Sequence, residues 1–312
     1  MRILFMGSPD FAVVSLRRLI DEGHEIVGVV SVPDKPQGRG KKLTPMPVKA
    51  AATELGLSVY TPATLKDGAF LEVLEELRPD MITVVAYGKI LPKYVLDYPR
   101  YGCVNVHGSL LPEYRGAAPM QRAIIDGRPK TGVTVQMMDV GLDTGDMILK
   151  REYVIRDDDD FETVHDALAE LGADALAETV RMAVSSGRPT GEAQDDSLST
   201  YAEKITKEEG HLDWSGDATV LHNRIRGMSP FPLSYSYLAD GSILKIVKAR
   251  VSTKASATAS AGEVISLDGG AVTVACGNGA VDILAVLPQG KGRMPARDYI
   301  NGRKIKVGDI LA

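Results

Sequence analysis

The chain has 312 residues, 44% of them hydrophobic, and its 36 basic and 41 acidic side chains give a net charge of −5. That length fits two domains with a core each, and that charge excludes a protein that coats nucleic acid over its whole surface. Two cysteines far apart in sequence, Cys103 and Cys276, offer neither a disulfide framework nor a metal-ligand spacing and fit a reducing cytoplasm.

Met1 to Gly7 is too short for a signal segment and no apolar run reaches membrane-spanning length. The charge is unevenly spread. From Lys204 onward 14 basic residues meet 10 acidic ones, whereas 22 meet 31 before it. An acidic N-terminal part and a mildly basic C-terminal part suit a polyanion held mainly from one side.

Arg2 to Met6 is an apolar run that reads as a buried first strand. Asp10 to Glu22 carries Phe11, Val14, Leu19 and Ile20 at helical spacing and ends near Gly23; Glu25 to Val32 reads as a second strand. This β-α-β opening predicts a doubly wound sheet. Gly7-Ser8-Pro9-Asp10 lacks the second and third glycines of the dinucleotide fingerprint, so NAD is not expected.

Pro33 to Pro47 interrupts the pattern with Lys35, Arg39, Lys41 and Lys42 among Gly and Pro. It reads either as a solvated surface loop or as a loop that orders on a phosphate backbone. A helix over Val48 to Leu55, a strand over Leu57 to Tyr60, a helix over Phe70 to Leu77 and a strand over Asp80 to Ala86 follow. Ile90 and Leu91, just past that strand, either line a pocket for a flat heterocycle or pack in the core.

Ala118 to Ile125 reads as a helix. Gly132 to Met138 and Met147 to Ile155 read as strands, paired as a hairpin around an Asp143 loop. Asp157 to Asp160 precede a helix over Phe161 to Ser185, where acid opposes the positive end of the helix dipole; no chemistry is assigned to them. Residues 187–207 are polar and read as a linker. Beyond it come a helix at Asp217 to Arg226 and five short strands: Ser234 to Leu238, Ile243 to Val251, Gly262 to Leu267, Ala271 to Ala275 and Val281 to Val286. Short strands so closely spaced predict a small barrel, OB-like, of a kind that often holds nucleic acid. Ser252 to Ala261 reads as a loop between strands.

The chain is organised around Asn105-Val106-His107-Gly108-Ser109-Leu110-Leu111-Pro112. Tyr101 to His107 reads as a short strand running into a Gly turn. Side chains alternate along a strand, so Cys103, Asn105 and His107 share one face. An amide and an imidazole then project together where a strand ends, the place where open α/β sheets bind ligands. Such a pair suits stabilisation of an oxyanion on a carbonyl under attack. The Gly-flanked loop Gly141-Leu142-Asp143-Thr144-Gly145-Asp146 brings Asp143 as a carboxylate for the imidazole. Ser109 is not expected as a nucleophile, because His107-Gly108-Ser109 does not match the G-x-S-x-G elbow.

These pieces, together with Phe5-Met6-Gly7-Ser8-Pro9-Asp10-Phe11, Arg115-Gly116-Ala117-Ala118-Pro119 and Pro33 to Lys42, resemble the folate-dependent formyltransferase family nearly end to end. The resemblance implies an α/β, doubly wound Rossmann-like catalytic domain over 1–186, a linker over 187–207 and a C-terminal OB-like β-barrel domain that binds tRNA over 208–312. It implies transfer of a formyl group from 10-formyltetrahydrofolate to the α-amine of initiator methionyl-tRNA, by a cytoplasmic monomer and without a metal. Asn105 and protonated His107 would donate to the formyl oxygen, and Asp143 would favour the imidazolium and manage the amine proton. Ser109, Leu110, Leu111 and Pro112, with Ile90 and Leu91, would wall the folate. Lys35, Arg39, Lys41 and Lys42 would meet the tRNA.

Two other readings compete. One is a formyltransferase of the same core acting on a small amine, a nucleotide sugar or a ribonucleotide; the basic loop and the second domain argue against it. The other is a non-enzymatic RNA-binding protein, which would leave the Asn105, His107 and Asp143 set without a role.

Overall fold

A computed structural model describes residues 1–37, 42–254 and 258–312. The chain divides into two compact units. The first holds residues 1–116, 131–153 and 165–201; the second holds 117–130, 154–164 and 202–312. Most of the stretch read as a linker thus belongs to the first unit, and the second reaches back for two earlier segments.

In the first unit the chain runs β1 (Arg2–Gly7), α1 (Asp10–Asp21), β2 (Glu25–Val30), β3 (Lys35–Gln37), β4 (Lys42–Thr44), α2 (Pro47–Glu54), β5 (Val59–Tyr60), α3 (Phe70–Leu77), β6 (Met81–Val85), α4 (Lys93–Leu96), β7 (Cys103–His107) and β8 (Arg115–Gly116). A helix, α5 (Pro119–Ile125), falls in the second unit. The chain then forms β9 (Lys130–Met137), β10 (Met147–Val154) and the 26-residue α6 (Phe161–Ser186).

The seven-stranded sheet has the order β10-β9-β7-β6-β1-β2-β5. Strands β7, β6, β1, β2 and β5 are parallel, and β9 runs antiparallel to β7. Both faces are covered, as the near-continuous apolar runs of β1 and β6 require. Leu4, Met6, Ile82, Val84 and Cys103 pack on one face with Leu74 of α3 and Val95 and Leu96 of α4. On the other face α6 comes so close that a Cβ on its Gly172 would stand 2.8 Å from Val106. Leu74 is fully buried, and truncating such a residue to Ala typically costs about 2–5 kcal/mol. The turn after β1 is equally tight. A Cβ at Gly7 would meet Ala12 at 2.8 Å and the Val85 carbonyl at 2.9 Å, so this glycine serves helix packing.

The Pro33–Pro47 insertion is not loop throughout: β3 and β4 pair antiparallel within it. Short segments such as α4 and β8 carry too few residues for a period to show.

The second unit continues from β11 (Tyr201–Ala202), at the unit boundary, through α7 (Ala218–Gly227), β12 (Ser234–Tyr237), β13 (Ile243–Val251), β14 (Val264–Ser266), β15 (Val272–Ala275), β16 (Ala280–Pro288), β17 (Met294–Pro295) and α8 (Ala296–Asn301). Its antiparallel sheet has the order β12-β13-β16-β15-β14, with β17 on β16. This is the expected OB-like sheet, with all five predicted strands. Trp214, Leu221, Ile225, Leu244, Ile246, Val274 and Ile283 form its core. Asp217 caps α7 by accepting from Thr219 N. Among the described residues no helix is long and apolar enough to cross a membrane.

Candidate active site

The site grows from β7. Val104 pairs with Met137 of β9, Asn105 with Gln136 and His107 with Thr134. Directly opposed residues of an antiparallel pair project on the same side. Asn105, Gln136 and His107 therefore share a face, the one that carries Cys103 and Val84 further into the core. Cys103 is not a nucleophile here. Its thiol donates to the Val95 and Leu96 carbonyls, and burial raises its pKa far above the usual thiol range.

The loop between β9 and β10 folds back over this face. Gly145 allows it, because a Cβ there would collide with the Met137 carbonyl. Asp139 accepts from Gly141 N at 2.9 Å and from Thr144 Oγ1 at 2.7 Å, which pins the turn. Asp143 adopts a left-handed backbone, φ 55°, which Asp tolerates better than most residues. Its carboxylate accepts from Gly116 N at 2.9 Å and from Gln136 Nε2 at 3.1 Å, and its Oδ1 lies 3.6 Å from His107 Nδ1.

The His107 side chain is 7% exposed and that of Asp143 14%. Their interaction is therefore little screened by water. His107 donates Nε2–H to the Tyr114 carbonyl at 2.9 Å, since a carbonyl only accepts. That donor is thus occupied, and Nδ1 is the edge left to face Asp143. At 3.6 Å the pair is close but not directly hydrogen-bonded. The Asn105 amide, by contrast, has no hydrogen-bond partner among the described residues. It is the free donor of the set.

The expected folate-wall residues fall into three groups. Ser109 closes its own turn: its hydroxyl donates to the Glu113 carbonyl at 2.6 Å, and Thr134 Oγ1 bridges its carbonyl to Leu111 N. Leu111 is 1% exposed and Leu91 3%, both inside the core. Leu110 and Pro112 are half-buried, and Ile90 is 69% exposed. Lys35 stands in β3 and Lys42 in β4; Arg39 and Lys41 lie outside the described residues.

Three further residues escaped the sequence reading. Gln136 could have been placed by its alternation along β9. Gln194 lies in the polar stretch Gln194-Asp195-Asp196-Ser197, where composition says only loop. Its Nε2 donates to the Asp143 and Gly145 carbonyls, and its Oε1 accepts from Arg115 Nε at 3.0 Å and Nη2 at 2.8 Å. Arg115 also pairs with Asp196 at 2.7 Å. Tyr114, whose carbonyl holds His107, gives no signal in sequence, because its part is played by backbone.

The Asn105 amide and the buried His107 imidazole at the end of β7, with the Asp143 carboxylate held over them by the β9–β10 loop, make a set suited to stabilising charge on a carbonyl under attack. The comparisons agree. The Formyl transferase family model matches residues 1–180, and that of the Formyl transferase C-terminal domain matches 204–304. The chain belongs to the formyl transferase family.

Its relatives include the methionyl-tRNA formyltransferase of Citrifermentans bemidjiense, 47% identical over 311 residues, covering 100% of this chain and 96% of that protein. That of Caldanaerobacter subterraneus subsp. tengcongensis is 47% identical over the whole of both chains. Among solved structures, HypX from Aquifex aeolicus in complex with tetrahydrofolic acid is 18% identical, with a TM-score of 0.63, over 98% of this chain and 48% of that one. The N-formyltransferase from Helicobacter canadensis in complex with folinic acid and dTDP-3-aminofucose is 18% identical with a TM-score of 0.68, over 90% of this chain and 98% of that one. At such identity these two structures show the shared fold.

Proposed function

We propose that this chain transfers the formyl group of 10-formyltetrahydrofolate to the α-amine of initiator methionyl-tRNA, yielding N-formylmethionyl-tRNA for translation initiation. The observation that carries this reading is identity of 47% across the entire chain with methionyl-tRNA formyltransferases, joined to the convergence of Asn105, His107 and Asp143.

The folate supplies a formyl group on a nitrogen that leaves once protonated. The residues of the chain do the rest. Asn105, whose amide has no other partner among the described residues, donates to the formyl oxygen as negative charge develops there. His107 does not join Asn105 on the formyl oxygen as the sequence leads one to expect: its Nε2 is taken by the Tyr114 carbonyl, and its Nδ1 faces Asp143 and, in this reading, the incoming amine. Asp143, oriented by Gly116 N and Gln136, takes the amine proton through His107 or through water, and that proton passes on to the leaving folate nitrogen. Ile90, Leu110 and Pro112 offer apolar surface to the folate, Leu91 and Leu111 back it from the core, and Ser109 holds the turn.

Lys35, Arg39, Lys41 and Lys42 meet tRNA phosphates, and the chain acts as a cytoplasmic monomer. The test presents purified protein and radiolabelled 10-formyltetrahydrofolate with methionyl-tRNA, with an amino-sugar nucleotide and with an amino ribonucleotide. Label on the tRNA alone is expected. Label on a small amine and none on the tRNA would contradict the proposal.

A further inference from the structure

His107 is held at second hand. Its Nε2 donates to the Tyr114 carbonyl at 2.9 Å, and Tyr114 sits in the left-handed region, φ 60°. A bulky residue keeps that backbone only where its surroundings impose it. Here the polar stretch 194–200 imposes it. Thr200 Oγ1 accepts from Tyr114 N at 2.8 Å, and the Thr200 carbonyl accepts from Arg115 N at 2.9 Å. The residue whose carbonyl holds the imidazole is therefore itself held, through its amide, by a hydroxyl from a distant part of the chain.

What depends on this hold is the place of a proton. A neutral imidazole carries one proton, on either nitrogen, and the hydrogen bonds around the ring decide which. In His107 two acceptors compete for it. The Tyr114 carbonyl faces Nε2, and Asp143 Oδ1 lies 3.6 Å from Nδ1. At equal distance the carboxylate would be the stronger acceptor. The short bond to Tyr114, against the longer gap to Asp143, keeps the proton on Nε2 and leaves the Nδ1 lone pair open.

If the carbonyl turned away, Nε2–H would be left unmet in a buried place, which is costly. The proton would then move to Nδ1 and donate to Asp143, and Nδ1 could accept nothing from an incoming amine. Thr200 is exposed, so its side chain is not needed for the core. The same stretch holds the Asp143 loop through Gln194. Both members of the His107–Asp143 pair are thus set by residues whose composition says only loop.

We propose that Thr200 is a positioning residue that fixes the tautomer of His107 through the backbone of Tyr114. The tautomer follows from the geometry of the free chain; its consequence for turnover rests on the function proposed above.

Long-range proton–nitrogen correlation NMR of the full chain, labelled on histidine and held at a pH where the ring is neutral, tests it. The chain has five histidines, and the spectrum of His107→Gln assigns the His107 signals. The parent should show Nε2 protonated. Thr200→Val and Thr200→Ala remove the hydroxyl and leave the backbone carbonyl to Arg115. In both the Nδ1-protonated form should appear, and kcat for formyl transfer should fall about 10-fold with KM for the formyl donor little changed. Thr200→Ser should restore the parent tautomer and rate. Thermal melts check that the variants fold, and the exposure of Thr200 favours that they do. A His107 spectrum unchanged in Thr200→Val and Thr200→Ala overturns the proposal, as does a parent chain with Nδ1 protonated. A tautomer that shifts as described in a chain that performs no formyl transfer would overturn the assigned reaction and leave the role of Thr200 standing.

Discussion

Gln194 Nε2 donates at 2.8 Å to the carbonyl of Asp143, and at the same distance to that of Gly145. A single amide thus holds both ends of the strained segment that presents the Asp143 carboxylate, while Arg115 holds the amide from behind. Gln194→Glu keeps an acceptor for Arg115 but sets a carboxylate against two carbonyl oxygens. Both Gln194→Glu and Gln194→Ala should cut kcat by about 10-fold or more, because small misplacements of a catalytic group are costly. KM for the formyl donor should move less. Steady-state kinetics on both substrates decide it; a loss confined to KM would mean that Gln194 serves binding and not the placement of Asp143.

A second prediction concerns pH. Arg122 donates to Glu209 through Nη1 at 2.6 Å and Nη2 at 3.2 Å, and Thr206 N donates to the same carboxylate at 2.8 Å. The Arg122 guanidinium holds the Glu209 carboxyl below the usual range, against an opposing effect of burial. A carboxyl depressed in the folded state stabilises fully above its unfolded pKa of about 4.3, and the contribution is lost as pH falls through the folded value. Glu209→Gln should therefore be less stable than the parent at neutral pH, with the gap closing below about pH 4. Trp214, the only tryptophan, is buried in the core of this unit, so its fluorescence during urea unfolding at several pH values reads the difference. A gap independent of pH would refute the linkage.

The third prediction rests on sequence. Gly38-Arg39-Gly40 is followed by Lys41-Lys42 in an otherwise acidic part of the chain. Arg presents a planar fork that binds phosphate bidentately or stacks on an unpaired base. Arg39→Ala should impair reaction with full-length methionyl-tRNA and spare that with a minimal amine acceptor. Lys41→Ala should do less and act through salt-dependent affinity. Kinetic series on both acceptors at two salt concentrations give the answer; equal slowing of both would place the loop in the catalytic site or the fold.

The fold was largely legible because its elements are periodic. The apolar runs of β1 and β6 and the alternation in β7 gave strand, face and candidate site together. The glycines that flank Asp143 mark its loop in the sequence, whereas its distance to His107 leaves no mark there. The remainder is carried by groups without a sequence period. The hold of Tyr114 on His107 comes from a carbonyl that any residue possesses. Gln194 sits in a stretch that looks like linker and becomes part of the site only because the chain returns to the Asp143 loop. The β3–β4 pair is three residues a side among glycines and lysines, too short to outweigh a loop-like composition.

In the reaction proposed above, Asn105 is the donor to the formyl oxygen. Single-turnover transfer of labelled formyl from 10-formyltetrahydrofolate to methionyl-tRNA, with both bound at saturation, isolates the chemical step. The parent chain should form N-formylmethionyl-tRNA and Asn105→Ala should do so about 10² to 10³ times more slowly, with folate affinity and melting temperature little changed. A parent chain that forms no product, or an Asn105→Ala variant as fast as the parent, would contradict it.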